Sequence, residues 1–185
     1  MRIFLVNGDP REECETFREN FEALHGFLAL RGHSVKSLHL KDKNIAACVG
    51  CFSCWLQNPG ICIFKDDHVS FLQSLLWAEV TIFISPLIMG FPSALLKNAI
   101  DRFIPNALPY IELDEEGECR HPMRYDKNPL MALLYEPEED TDEEDLQIIT
   151  TAFERFARNA HTRLLFTLPL GKENFEEVHH ALEHL

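Results

Sequence analysis

Four cysteines occur within one fifteen-residue segment, with the spacing C-x2-C-x2-C-x7-C. The two short gaps let three thiolates converge on one centre from a single loop, and Pro59-Gly60 can turn the longer arm back toward them. Thiolates are soft ligands that suit iron–sulfur clusters and zinc, and the repeated two-residue gap is typical of cluster-binding ferredoxins. We therefore predict a metal or cluster site with the ligands Cys48, Cys51, Cys54 and Cys62. The spacing leaves the choice of metal open.

The charge balance argues against some classes of partner. Among 185 residues, 30 are acidic and 17 are lysine or arginine, so the net charge is −13. A chain this acidic is not expected to bind nucleic acid or an anionic membrane surface. The most apolar segment, residues 75–91, is interrupted by Glu79 and Pro86, so we expect no membrane span. Because the first residues are strand-like and do not resemble a signal peptide, we expect a cytoplasmic protein with reduced thiols.

Strand-like and helix-like segments alternate along the chain. The helix-like segments carry apolar residues every three or four positions, and they separate apolar runs that are typical of buried strands. The predicted strands are residues 2–7, 34–40, 79–85, 130–135 and 164–168. This alternation predicts a three-layer α/β sandwich, with a five-stranded parallel sheet of order 2-1-3-4-5 and helices on both faces. No linker or repeat divides the chain, so we expect one domain over residues 1–185.

Parallel sheets of this kind bind ligands beyond the carboxyl ends of their strands, at the point where the strand order reverses. That rule selects the loops at residues 7–16, 86–92 and 135–142 as the candidate binding site. The cysteine loop, residues 48–62, follows the second strand and opens on the same edge. We therefore expect the cysteines to lie near the ligand that the three loops hold.

The first of these loops, the phosphate loop (residues 7–16), has the form of an anion site. A strand, a glycine, a turn and a helix start offer backbone N–H groups, so we place Gly8, Asp9, Arg11 and Thr16 among the binding residues. Asp9 and the glutamates that follow it would repel a phosphate. Acidic residues in a first helical turn also have a purely structural explanation, because they favour the helix dipole. Both interpretations stay open.

The second loop is apolar and suits a flat ring system. The ring-binding residues that we predict are those after the central strand and the tyrosine that opens the third loop: Pro86, Leu87, Ile88, Met89, Gly90, Phe91 and Tyr135. A buried connection would use the same residue types. We expect Asp101 and Arg102 to form an ion pair that anchors the second loop. The eight acids within residues 136–145 are expected to form a solvated loop and helix start.

Taken together, these segments resemble the NADPH-dependent FMN reductase family of flavodoxin-like proteins. They look closest to its branch with a cysteine-rich loop, which includes the iron–sulfur flavoproteins. Residues 6–11 resemble the opening of the family's phosphate loop, and residues 48–67 resemble the cysteine loop of that branch. Residues 85–103 are similar to the strand end and helix that bind the isoalloxazine ring. The resemblance covers roughly residues 1–135.

This resemblance implies a flavodoxin-like fold and an FMN-dependent oxidoreductase with NAD(P)H as co-substrate. It also implies a small-molecule or protein electron acceptor, and a homodimer or homotetramer. An insertion at about residues 105–129, which contains His121 and Arg124, is similar to one found in part of the branch. The resemblance implies no role for these two residues.

Two other functions stay open. One is an iron–sulfur flavoprotein that carries electrons through a [4Fe–4S] cluster on Cys48, Cys51, Cys54 and Cys62, with zinc as the alternative metal. The other is a flavin-free, non-enzymatic binding module. It is favoured by Asp9, which stands where the family has a serine and would place a carboxylate against a dianionic phosphate.

Overall fold

A parallel sheet crosses the centre of the protein in the computed structural model, which describes residues 1–185. The strands, in chain order, are β1 (Arg2–Asn7), β2 (Ser34–His39), β3 (Val80–Ile88), β4 (Phe91–Pro92), β5 (Glu112–Leu113), β6 (Cys119–Arg120), β7 (Leu130–Glu136) and β8 (Leu164–Pro169). The main sheet has the order β2-β1-β3-β7-β8, and all of these pairs are parallel. The predicted order 2-1-3-4-5 is therefore confirmed.

Helices cover both faces of the sheet, as predicted. They are α1 (Glu15–Leu30), α2 (Ser53–Leu56), α3 (His68–Trp77), α4 (Ala94–Asp101), α5 (Glu143–Asn159) and α6 (Phe175–Glu183). Helices α1 and α6 pack on one face, and α3, α4 and α5 pack on the other. No helix is both long enough and apolar enough to cross a bilayer.

Side-chain alternation along the strands builds one core on each face. In β1, Ile3 and Leu5 pack with the α1 and α6 layer, whereas Phe4 and Val6 pack with the opposite layer. This follows because successive side chains of a strand point to opposite faces. Since both faces are covered, the central strands are mostly apolar, which is why they are recognisable in the sequence.

The prediction that the third strand ends at Pro86 is wrong. Strand β3 continues through Pro86 to Ile88, turns at Met89-Gly90 and returns as β4 in an antiparallel pair. The proline is tolerated because β1 ends opposite Ile84, so Pro86 lies beyond the neighbour to which an N–H group could have donated. The second loop is therefore a β3–β4 hairpin.

The insertion folds over helix α5. Strands β5 and β6 form its small hairpin, and the guanidinium of Arg158 on α5 ties this hairpin down. Arg158 Nη2 lies 2.8 Å from Asp114 Oδ2, its Nη1 lies 3.3 Å from Glu118 Oε2, and it also contacts Glu116. One arginine thus fixes the insertion against the sheet's helical layer.

Candidate functional site

The phosphate loop is folded around its own carboxylate. The Asp9 N–H donates to Asn7 Oδ1 at 2.8 Å, and Asp9 Oδ1 accepts from the Arg11 N–H at 3.1 Å and from Arg11 Nε at 2.7 Å. Asp9 is buried. The carboxylate that the sequence places against a phosphate is therefore turned inward and paired with an arginine of the same loop.

Gly8 is required by a close approach. Its N–H donates to the Ile84 carbonyl at 2.7 Å, and a Cβ atom there would lie 2.9 Å from the Cβ of Leu96. The Ser93 hydroxyl also donates to the Gly8 carbonyl. These contacts lock the start of the phosphate loop against β3 and α4.

Arg11 also joins the first and third loops. Its Nη2 lies 2.5 Å from Glu136 Oε2, at the end of β7. Burial lowers the pKa of Arg11, but the hydrogen bonds to Asp9 and Glu136 outweigh this and raise the pKa above its ordinary value. The guanidinium is thus a permanent cation between two carboxylates.

A cavity of about 500 Å³ lies beside the phosphate loop. Its lining is mostly polar and includes Arg11, Glu12, Glu13, Glu15 and Lys41. The backbone N–H groups of residues 12–17 have no hydrogen-bond acceptor within the protein, so they are available to an anion. Thr16 is exposed in the first turn of α1 and does not line the cavity. The site thus combines free backbone donors with an acidic wall.

The β3–β4 hairpin presents two adjacent donors to one carboxylate. The N–H groups of Met89 and Gly90 donate to Glu138 Oε1 at 2.9 Å and Oε2 at 3.0 Å. These two bonds lower the pKa of Glu138, so its carboxylate stays ionised. Gly90 has a φ of 73°, a conformation that residues with side chains rarely adopt, and a Cβ there would lie 3.0 Å from Asp145 Oδ1, so a substitution would strain the turn.

The predicted ring-binding residues separate into two groups. Pro86, Leu87 and Tyr135 are buried within the sheet, and burial raises the pKa of the Tyr135 hydroxyl. In contrast, Ile88, Met89 and Phe91 are exposed around the hairpin turn. Only the second group, with Gly90, offers a surface that a ligand could touch.

The four cysteines surround one small cavity of about 20 Å³. Cys54 is buried at the start of α2, Cys62 is half-buried, and Cys48 and Cys51 are exposed. Burial, reinforced by the neighbouring thiols, raises the pKa of the Cys54 thiol. No three His, Cys, Asp or Glu side chains are arranged to hold a metal ion. The four cysteines predicted as ligands are therefore close together, but they are not arranged around one metal position.

The cysteine loop is anchored by a buried arginine at the carboxyl end of α4. Arg102 Nη1 lies 2.5 Å from Asp66 Oδ2 and donates to the Ala46 carbonyl at 3.0 Å, while Nη2 donates to Cys62 Sγ at 3.2 Å. Burial raises the pKa of Asp66, but hydrogen bonds, chiefly from Arg102, lower it below its usual value. The predicted Asp101–Arg102 pair is wrong, because Asp101 pairs with Lys97 one turn earlier on the helix surface.

The insertion braces the other side of the cysteine loop. Trp55 Nε1 donates to the carbonyls of Ile104 at 3.1 Å and Ala107 at 3.0 Å, and the His121 ring lies 4.9 Å from the Trp55 ring, centroid to centroid. Arg124 Nε donates to the Pro105 carbonyl at 2.9 Å. His121 and Arg124 thus have positioning roles that their sequence positions did not predict.

Sequence reasoning missed Glu138 and Asp66. Glu138 is one of eight acids within residues 136–145, and no local pattern separates it from its neighbours. Asp66 lies within residues 48–67, which resemble the cysteine loop, but nothing in the sequence indicates that it pairs with Arg102. Both residues gain their roles from partners far away in the chain.

Comparison with known proteins identifies the family. The model of the NADPH-dependent FMN reductase family matches residues 1–122. The chain belongs to this family. As a member of the NADPH-dependent FMN reductases, it carries the family's flavodoxin-like fold with the loop contacts described above.

Curated relatives match about half of this family member. An iron–sulfur flavoprotein of Archaeoglobus fulgidus is 30% identical over 102 residues, which are 55% of this chain and 48% of that protein. An iron–sulfur flavoprotein of Methanocaldococcus jannaschii is 33% identical over 105 residues, 57% of this chain and 53% of that protein. The chain thus spans about half the length of the curated relatives it matches.

A solved structure confirms the fold. An FMN-dependent NADH-azoreductase from Bacillus anthracis, in complex with FMN, superposes with a TM-score of 0.63 at 12% identity. The match covers 99% of this chain and 98% of that one. At this identity the similarity concerns the fold alone.

Proposed function

We propose that this chain is a flavin-dependent oxidoreductase of the NAD(P)H-dependent FMN reductase type, with FMN at the carboxyl edge of the sheet. The observation that carries this proposal is the β3–β4 hairpin at the point where the strand order reverses. There, the N–H groups of Met89 and Gly90 converge on one oxygen-bearing group, the Glu138 carboxylate. An acceptor atom of a flavin ring would use the same two donors once Glu138 swings away.

The phosphate loop fits the other end of FMN in part. The free N–H groups of residues 12–17 are the donors that a phosphate needs. Asp9 does not oppose it, because its charge is directed inward and compensated by Arg11. The remaining repulsion comes from Glu12, Glu13 and Glu15 in the cavity wall. We therefore expect FMN to bind, but weakly.

When bound, FMN would accept a hydride from NAD(P)H and pass the electrons to an acceptor. The protein would hold the ring through the two hairpin N–H groups and would offer Ile88, Met89 and Phe91 as an exposed apolar wall. Gly8 would keep the phosphate loop in place through its contacts with Ile84 and Leu96. The acceptor is either a small molecule or a protein. A homodimer or homotetramer stays a prediction, which sedimentation equilibrium tests.

The test compares two neighbouring glutamates. Glu138→Ala removes the group that occupies the hairpin donors, whereas Glu139→Ala removes the next carboxylate in the chain, which is exposed and has no hairpin bonds. We measure the affinity for FMN by fluorescence quenching. We expect it to be about tenfold higher in Glu138→Ala than in the wild type, and equal to the wild-type affinity in Glu139→Ala. If neither variant nor the wild type binds FMN, the flavin-free binding module becomes the better account.

A second candidate is an iron–sulfur flavoprotein that carries electrons, and the grouping of the four cysteines beside Arg102 favours it. Arg102 already donates to Cys62 Sγ, so a cation is in place to stabilise a thiolate. A cavity of about 20 Å³ has room for about one water, so a cluster would require the exposed Cys48 and Cys51 to move outward. The two cysteines are the ones least held by packing.

Metal analysis of anaerobically prepared protein tests this candidate. We expect iron and acid-labile sulfide in the wild type and their loss in Cys51→Ser, with zinc in their place if the site is a zinc site. Cys119→Ser, which removes an exposed cysteine outside the loop, is the matched control and should keep the wild-type content. Wild-type protein without iron, sulfide or zinc would contradict a metal site on this loop.

A further inference from the structure

A cavity of about 680 Å³ lies on the helical face formed by α4 and α5, away from the phosphate loop. Its volume falls within the range of small-molecule sites. Most of its lining is hydrophobic, and six of the lining residues are phenylalanine or tryptophan: Phe52, Trp55, Phe91, Phe103, Phe153 and Phe156. A cavity of this size and composition matches a flat, largely apolar molecule.

The walls of the cavity are held in place by contacts within the protein. Trp55 is fixed by its two hydrogen bonds to the carbonyls of Ile104 and Ala107. Phe103 and Phe156 meet edge to face, with ring centroids 5.5 Å apart. The β5–β6 hairpin is tied to α5 by Arg158. The cavity is thus formed before any ligand arrives, which lowers the ordering cost of binding.

The charged side chains that line the cavity are mainly basic, although the protein as a whole carries a net charge of −13. Lys97, Arg120 and Arg155 line it, against the single carboxylate of Asp101. Lys97 is paired with Asp101, and Arg120 with a glutamate outside the lining. Arg155 is largely exposed, and its one carboxylate partner lies 3.5 Å away, so it is the cation most available to a ligand.

We propose that this cavity binds a flat aromatic ligand with an anionic group, of the aromatic carboxylate or sulfonate class. The aromatic side chains of the cavity pack against the rings of the ligand, and Arg155 attracts its anionic group. Phe91 belongs to the β3–β4 hairpin and Phe52 to the cysteine loop, so the ligand lies between these two regions. The cavity shares Phe91 with the wall proposed for the flavin ring, but its other aromatic residues lie outside the β3–β4 hairpin.

The probe for this site is 8-anilinonaphthalene-1-sulfonate, an aromatic sulfonate whose fluorescence rises in apolar surroundings. Ala152→Trp fills the cavity from an exposed position on α5, and Ala29→Trp adds the same side chain at an exposed position on α1. We expect saturable 1:1 binding to the wild type, about tenfold weaker binding to Ala152→Trp, and no change in Ala29→Trp. Equal binding to all three proteins would overturn the site, as would the absence of saturable binding.

The anionic preference has its own test. The neutral N-phenyl-1-naphthylamine shares the aromatic frame of the probe but lacks the sulfonate. Arg155→Gln is expected to weaken sulfonate binding about threefold and to leave the neutral compound unchanged. Arg31→Gln, which also removes an exposed arginine with a carboxylate partner, is the control. An equal loss for both compounds would overturn the role of Arg155.

Sedimentation distinguishes a ligand site from an interface between copies. With a small-molecule site, Ala152→Trp keeps the oligomeric state of the wild type while losing the probe. If the wild type does not bind the probe, and the oligomer of the wild type is lost in Ala152→Trp, a second copy of the chain covers the cavity. That result would overturn the proposed ligand.

Discussion

The cysteine loop and the phosphate loop are both braced by an arginine between polar partners, but the two braces differ in burial. Arg102 and Asp66, behind the cysteine loop, have side chains only 2% and 8% exposed. Arg11, in the phosphate loop, is 40% exposed and bridges Asp9, whose side chain is 8% exposed, and the partly exposed Glu136. The two arginines therefore differ in burial, although each pairs with a buried aspartate.

Burial decides what each brace can do. Water and salt screen the surface pair, so a ligand can compete for Arg11 and Glu136 at little cost. The buried pair is desolvated, and removing one partner leaves an uncompensated charge. We infer that the cysteine loop is held in one position, whereas the phosphate loop can rearrange when a ligand binds.

The largest effect should come from breaking the buried brace. Arg102→Met keeps much of the side-chain bulk but leaves Asp66 without its cation, and we expect the free energy of unfolding to fall by about 3–5 kcal/mol. Urea denaturation measures this change. Lys97→Ala breaks the exposed pair with Asp101 on the same helix and should cost about 0.5 kcal/mol. Similar losses in both variants would remove the contrast between buried and exposed pairs.

The cysteine-loop side should also be acid-sensitive. His68 is buried. Its ring Nε2 lies 2.9 Å from the Ala99 carbonyl, and its backbone N–H donates to Asp66. Burial lowers the pKa of His68 from 6.5 to about 4. Below pH 6.5 the His68 side chain binds a proton in the unfolded chain, whereas in the folded protein it stays neutral until the pH approaches 4. Stability from this residue is therefore complete above pH 6.5 and is lost as the pH falls toward 4.

We expect the loss over this pH interval to reach about 3 kcal/mol. It is measured as the difference in pH dependence of urea unfolding between the wild type and His68→Gln. His180→Gln, at an exposed histidine of α6, should retain the wild-type dependence. An unchanged slope in His68→Gln would show that His68 is not the group responsible.

The smallest effect should follow from breaking the surface brace. Arg11→Gln removes the exposed cation between Asp9 and Glu136, but the backbone N–H of residue 11 still donates to Asp9. We therefore expect the free energy of unfolding to fall by only about 1 kcal/mol, less at high salt. The measurement is urea denaturation at low and high ionic strength. A loss as large as that of Arg102→Met, independent of salt, would show that the phosphate loop is held as firmly as the cysteine loop.

Much of the fold could be predicted because local patterns encode it. Ile3 to Val6 is a continuous apolar run, and Val80 to Ile84 is interrupted only by Thr81. The helices between the strands repeat apolar residues with helical spacing, so the alternation predicted a parallel sheet, and its order followed because five strands fit the flavodoxin-like arrangement. The end of β3 was mispredicted because a proline usually ends a strand. Only the position of the neighbouring strand shows that Pro86 has no ladder bond to lose.

The sequence by itself determined which chemical groups stand on each loop: four thiols, a glycine-led phosphate loop, an apolar hairpin and a run of acids. Tertiary structure alone decided which of them meet. Arg102 pairs with the distant Asp66 and not with its neighbour Asp101. Glu138 accepts hydrogen bonds from the hairpin, whereas Glu139 does not. Side-chain type and spacing are local properties of the sequence. The partner of a buried charge is instead determined by the packing of distant elements, because that packing decides which polar groups lie within hydrogen-bond distance.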